Sequence, residues 1–124
     1  MGKEENTVQK SALEYGEVEP SCTWFRNNTG ALRVGRRFVK FGLCKGSSDI
    51  IGYTSVKITP AMVGKNVAVF TAIEIKKPGE KKATVEQEDF VLNVREAGGI
   101  GFVADTLDII INEIKKWKTK MKRR

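Results

Sequence analysis

The chain is 124 residues long, 40% apolar and carries a net charge of +7, which suits a single domain, 1–124, with a modest core and a polyanionic partner. It has no histidine, and its two cysteines, Cys22 and Cys44, form no CxxC pair, which excludes Cys/His zinc sites, histidine triads and a histidine general base. No apolar run is long enough to cross a bilayer and the polar start shows no signal-peptide pattern, so we expect no membrane contact and a cytoplasmic location.

Periodicity and punctuation define the elements. Residues 4–15 read as a helix whose apolar stripe is Val8, Ala12 and Tyr15, with Leu13 beside it, and residues 16–20 break it. Residues 22–26 read as a strand, and Asn27, Asn28, Thr29 and Gly30 are turn chemistry. Residues 31–34 and 37–41 predict a hairpin around Gly35 and Arg36. A glycine-rich turn over 42–48 leads into Asp49 and a short strand over 50–53. Residues 59–64 suggest a helical turn before a long strand over 66–76, whose apolar run reads as buried on both faces. Pro78 and Gly79 end it, and a lysine-rich loop follows.

Thr84, with Gln87 three residues on, is a capping box for a helix over 84–97, which Gly98 and Gly99 stop. Residues 100–104 form a strand. A last helix over 105–117 carries Leu107, Ile110, Ile111 and Ile114 on one face, and Trp117 extends that stripe as a candidate contact for a partner subunit. A strand–helix–strand order implies a right-handed crossover and a parallel pair, whereas the hairpin is antiparallel. The fold class is therefore α/β, with a mixed central sheet flanked by helices.

The charge is unevenly placed. Seven of the 22 basic residues lie in a tail at 115–124, and the remaining 15 balance the 15 acidic residues of 1–114. The tail is either a solvated helix end whose cations suit the helix dipole or an electrostatic arm for a polyanion. A second basic stretch holds Arg26, Arg33, Arg36, Arg37, Lys40 and Lys45 with no acidic residue among them, and Trp24, Phe25, Phe38 and Phe41 are interleaved with it.

Glu74 and Lys76 stand two apart on a strand and so point to one face. Asp49 opens another strand. Phosphodiester hydrolysis needs a cation on a non-bridging oxygen, an activated water and charge relief for the leaving group. Asp49 and Glu74 supply hard carboxylate oxygens for Mg²⁺, the Ile75 carbonyl at the strand's end is a candidate third oxygen, and Lys76 would orient or polarise the water. Glu5 on the first helix is a candidate for a second cation or for assisting the water. Gln87, on the inward face with Phe90, Val91 and Val94, is a candidate hydrogen-bond donor to the site besides its capping role. Each residue also has a plainer reading: an ion pair at a sheet edge, a turn aspartate, a first-turn acid, a cap.

The run Trp24-Phe25-Arg26-Asn27-Asn28-Thr29-Gly30-Ala31 is followed by Gly46-Ser47-Ser48-Asp49-Ile50-Ile51-Gly52 and then Ala72-Ile73-Glu74-Ile75-Lys76-Lys77-Pro78-Gly79. Glu86-Gln87-Glu88-Asp89-Phe90 and Ala97-Gly98-Gly99-Ile100-Gly101-Phe102-Val103-Ala104 complete the order. Together they resemble a VRR-NUC domain, the virus-type replication-repair nuclease branch of the PD-(D/E)XK superfamily, over roughly residues 4–112. The resemblance implies a restriction-endonuclease-like αβββαβ core and DNA cleavage that depends on Mg²⁺ or Mn²⁺. It assigns metal binding to Asp49 and Glu74, the catalytic lysine to Lys76 and a supporting carboxylate to Glu5, although Glu4 is adjacent; Gln87 matches the glutamine after the Glu-x-Lys motif. Ser48, not proline, precedes Asp49, a departure that this branch tolerates. Arg26, Asn28, Arg33, Arg36, Arg37, Lys45 and Lys77 are the candidate nucleic-acid contacts.

A stand-alone domain of this size resembles small phage and bacterial members that are symmetric dimers cutting four-way DNA junctions, where a two-fold dimer presents two equivalent sites to two equivalent strands. The expectation is a dimeric, structure-specific endonuclease of the Holliday-junction resolvase kind. Its rivals are a monomeric flap or single-strand nuclease and a non-catalytic nucleic-acid-binding module.

Overall fold

The computed structural model describes residues 2–78 and 83–122 and is mixed α/β. Its elements in chain order are α1 (Lys3–Val18), β1 (Cys22–Arg26), β2 (Gly30–Val34), β3 (Arg37–Phe41), β4 (Ile50–Thr54), a 3₁₀ turn (Pro60–Met62), β5 (Thr71–Ile75), α2 (Val85–Glu96), β6 (Ile100–Ala104) and α3 (Leu107–Lys122). They gather in two compact units, Met1–Lys57 and Ile58–Arg124. Among the described residues no helix is long and apolar enough to cross a membrane.

In the first unit β1 and β4 pair antiparallel, with Trp24 opposite Gly52 and Arg26 opposite Ile50. A side chain at position 52 would run into the Thr23 carbonyl, so the glycine permits this close approach. The helix α1 packs on β1 through a second small residue. A Cβ at Gly16 would lie 2.9 Å from the Trp24 ring, and Tyr15 tilts against the same ring at 5.8 Å between centroids. That contact turns the helix away from the stripe that its sequence suggests. Gln9 and Gly16 are buried, with Ala12 and Leu13 half-buried, while Val8 and Tyr15 are exposed. The helix also runs through Gly16 to Val18 rather than breaking there. The expected hairpin is present as the antiparallel ribbon β2–β3, and every residue of both strands is exposed.

The second unit is built on the parallel pair β5–β6, in register from Thr71 opposite Ile100 to Ile75 opposite Ala104. Val91 and Val94 of α2 are buried, as are Ile100, Phe102 and Ala104 of β6. Val69, Ile73, Ile110, Ile114 and Trp117 pack against the β6 cluster. Trp117 is thus used, in part, inside the unit; Leu107 and Ile111, read as members of the same stripe, are exposed. On β6, the Ile100 N–H donates to the Phe70 carbonyl (2.9 Å) and the Ala104 carbonyl accepts from the Lys76 N–H (2.9 Å). The alternation of a parallel ladder then aims the backbone groups of Gly101 and Val103 at the opposite edge. There the Arg95 guanidinium donates to the Gly101 carbonyl through Nη1 at 2.9 Å.

Three further expectations are corrected. The strand read over 66–76 pairs only over Thr71–Ile75, and it is half-buried rather than buried on both faces, with Ile75 and Val67 exposed. Among the described residues the strands pair as three two-stranded ladders rather than as a single mixed sheet, because an apolar run fixes which segments are extended but not which edges meet. The last helix continues past Trp117 to Lys122: its apolar stripe ends there, but Lys and Met are good helix formers and nothing breaks the chain. The expected lysine-rich loop, at 79–82, and Arg123 and Arg124 lie outside the described residues.

Candidate active site

Glu74 and Lys76 emerge from the C-terminal end of β5. The Lys76 N–H bond to Ala104 carries the ladder one step past the strand, so both side chains project from ordered backbone. Two residues apart, they share a face, and Lys76 Nζ lies 3.9 Å from Glu74 Oε1. Their side chains are 19% and 30% exposed for Lys76 and Glu74 respectively. Partial burial costs both charges solvation, and a pair at this distance returns at most about 1 kcal/mol, so fold stability gives little reason for it. Ile75, one residue out of phase, has an exposed side chain, and its carbonyl faces the edge of β5 away from β6.

Glu74 opens onto a cavity of about 410 Å³ lined by Ala72, Ile73, Glu74, Glu86, Gln87, Phe90 and Val91. Gln87 is brought there by the cap of α2. Its backbone N–H donates to Thr84 Oγ1 (3.2 Å), and its Oε1 accepts from the Thr84 N–H (2.9 Å). The amide oxygen is thereby committed, which leaves Nε2 as the group of Gln87 able to donate to a ligand oxygen. The capping and site roles of Gln87 are compatible, since they use different atoms. Glu86, passed over in the sequence, brings a second carboxylate to this cavity; its place one residue before Gln87 in the first turn of α2 was the available signal.

In the first unit Asp49 stands immediately before β4. Its carbonyl accepts from the Asn27 N–H at 2.8 Å, extending the β1–β4 ladder, and its side chain is exposed. The loop before it is tied down by one side chain. Asn27 Nδ2 donates to Ser47 Oγ (2.7 Å) and the Ser48 carbonyl (2.8 Å), and Asn27 Oδ1 accepts from the Leu43 N–H (3.0 Å). Ser47 Oγ in turn donates to the Cys44 carbonyl at 2.6 Å. Asn27, read from sequence as turn chemistry, is therefore the residue that positions the approach to Asp49.

Glu5 lies in the first turn of α1, exposed, with Glu4 beside it. One turn on, and on the same side of the helix, Gln9 is only 8% exposed, and its Nε2 has no partner among the described residues. An unsatisfied buried amide costs about 1–3 kcal/mol, which marks Gln9, beside Glu5, as a further candidate functional residue of α1. The i, i+4 spacing from Glu5 was its only trace in the sequence.

Of the candidate nucleic-acid contacts, Arg26, Asn28, Arg33, Arg36, Arg37 and Lys45 belong to the first unit and Lys77 to the second. Arg33 lies over the Phe38 ring, 5.3 Å from its centroid. In the second unit Lys115, Lys116 and Lys120 of α3 line a groove of about 790 Å³ together with Arg95, Phe102 and Trp117. Lys116 pairs with Glu113 at 3.2 Å.

In the second unit Glu74 pairs with Lys76 and shares a cavity with Gln87, and Asp49 and Glu5 are carried by the first unit. Among the described residues no three His, Cys, Asp or Glu side chains form a group able to hold a metal ion. The donors present are all hard oxygens, which fits Mg²⁺: that ion keeps several waters and takes one or two protein carboxylates plus phosphate oxygens. No family model, no curated protein and no solved structure matches this chain.

Proposed function

We propose that this chain is a metal-dependent DNA endonuclease of the VRR-NUC kind, and that it cuts branched DNA as a homodimer in the cytoplasm of a bacterium or a phage-infected host. The observation that carries the reading is the placement of Glu74 and Lys76 on one face at the end of β5, 3.9 Å apart, with Glu74 lining a cavity that Gln87 also lines. A half-buried carboxylate beside a half-buried ammonium is a poor investment in stability and a good one in hydrolysis.

The resemblance assigns the ligands of Mg²⁺ or Mn²⁺ to Asp49 of the first unit and to Glu74, with the Ile75 carbonyl, of the second, and the ion would supply Lewis-acid stabilisation of phosphate charge and a more acidic water. Lys76 holds the attacking water and offsets charge as it develops on the phosphate. Gln87 donates through Nε2 to a phosphate oxygen. Glu5 is the supporting carboxylate that the resemblance assigns to α1. Arg26, Asn28, Arg33, Arg36, Arg37, Lys45 and Lys77 carry the phosphate backbone, and the tail from Lys115 onward adds charge.

The test is a panel of labelled substrates (four-way junction, flap, fork, single and double strand) incubated with Mg²⁺, Mn²⁺, Ca²⁺ or EDTA, beside light scattering for mass. Mg²⁺ and Mn²⁺ should support cleavage, Ca²⁺ binding with little turnover, and EDTA neither cleavage nor nicking. Activity that survives EDTA removes the mechanism, and a monomeric mass turns the reading towards a flap nuclease. Binding without cleavage in every metal leaves a nucleic-acid-binding module, which the exposed basic ribbon of the first unit would serve.

A further inference from the structure

The β2–β3 ribbon has two chemically different faces. In an antiparallel pair, residues opposite each other share a face and successive residues alternate. Leu32 opposite Val39, Val34 opposite Arg37 and Gly30 opposite Phe41 therefore form one face, which is apolar except at its tip. The Phe41 ring lies over Gly30, where an added Cβ would meet it at 2.6 Å. Ala31 opposite Lys40 and Arg33 opposite Phe38 form the other face, with Arg33 stacked on Phe38. Arg36 sits in the turn, and Gly35 takes the left-handed conformation (φ 62°) that a tight hairpin turn needs. Both faces are open: Leu32 is 61% exposed and Phe38 68%.

A lone two-stranded ribbon is marginal in water, and large apolar and cationic side chains exposed on both faces need a use. We propose that the ribbon is an arm that enters the major groove of a nucleic-acid duplex with its Arg33/Phe38/Lys40 face, Arg36 leading at the tip. Three observations select a duplex. The charge is complementary to a polyanion, since residues 26–45 hold six cations and no acid. The shape fits: a major groove about 12 Å wide admits a two-stranded ribbon, and five residues per strand extend about 17 Å, some five base-pair steps. The distribution argues against a lipid surface, because Arg33 and Lys40 lie on the face opposite Leu32 and Val39, and Arg37, at the tip, is the one cation of the two strands on the apolar face, where snorkelling would gather them. This rests on the DNA partner of the reading above but not on its catalysis.

The experiment is fluorescence anisotropy of a short labelled duplex in EDTA across a range of salt, with circular dichroism to check folding. Arg33→Ala/Lys40→Ala should weaken binding and lower the slope of log affinity against log salt by about 2, one for each phosphate that the variant leaves unneutralised. Leu32→Ser/Val39→Ser should leave affinity and slope unchanged. The proposal fails if the basic-face variant keeps the wild-type slope, or if the apolar-face variant loses as much duplex affinity. It fails equally if the wild type binds phosphatidylserine vesicles through Leu32 and Val39 and ignores duplex. Intact duplex binding with the expected slope change and no cleavage in Mg²⁺ sinks the nuclease reading and leaves the arm standing.

Discussion

The parallel pair β5–β6 and the ribbon β2–β3 are both two-stranded ladders of five-residue strands rich in branched and aromatic side chains. They use those side chains in opposite ways. In β6, Ile100, Phe102 and Ala104 are buried, with Ile110, Ile114 and Trp117 of α3 packed on them, while α2 buries Val91 and Val94. In the ribbon, Leu32, Val34, Phe38, Val39 and Phe41 are all exposed. The lesson is that an apolar strand pattern reports a face, whereas cover comes from neighbouring elements. The pair with helices forms a packed base for Glu74 and Lys76, and the pair without them is exposed.

That contrast can be broken at several strengths. The largest effect should be on catalysis. Lys76→Ala and Asp49→Ala should each reduce cleavage by about a thousandfold or more, as loss of a directly acting group does, with DNA binding largely kept. Near-normal rates for either in excess Mg²⁺ would remove the assignment. Glu5→Gln should lose less than Glu74→Gln, and equal losses would make Glu5 a direct ligand. Stability comes next. Phe102→Ala empties a site that is 7% exposed and should cost about 3–5 kcal/mol in urea unfolding, whereas Leu32→Ala should stay within about 0.5 kcal/mol. A large cost at Leu32 would mean that the ribbon is covered in solution. Thr84→Ala removes the side-chain half of the cap of α2 and should cost about 1 kcal/mol, with a larger loss of cleavage than stability predicts if Gln87 is displaced from its cavity. The smallest expected change is in salt dependence. Deleting 118–124 removes five cations but spares Trp117, so the fold should stand while binding to every DNA shape weakens together and the salt slope becomes shallower. An unmoved slope would make the tail a solvated helix end.

Much of this was written in the chain. The strands Cys22–Arg26 and Ile100–Ala104, and the cap at Thr84, are marked by turn residues at their boundaries, and local signals of that kind survive folding. What failed depended on partners distant in sequence. Val8 and Tyr15 outscore Gln9 and Gly16 on hydrophobicity, but the fit of Gly16 against Trp24 decides which side of α1 turns inward. The run 66–76 is uniformly extended in character, yet only Thr71–Ile75 finds β6. In the candidate site, the shared face of Glu74 and Lys76 and the cap that holds Gln87 were legible because strand period and capping box are local rules. Asn27 and Glu86 were not, since their roles appear only when a loop folds back or a helix start faces a strand. Gln9 was not, because a polar residue on a helix reads as solvated until its burial is seen.

Arg95 gives the base of the second unit one further property. A strand edge with free amides and carbonyls is a template on which an extended chain can add, and a parallel pair exposes two such edges. By seating its guanidinium on the Gly101 carbonyl, Arg95 occupies an acceptor in the middle of the β6 edge and puts a positive charge where an incoming strand would have to lie. A residue of the preceding helix thus occupies a backbone acceptor of the most apolar strand, and the five residues that bury the core side chains also carry this edge contact.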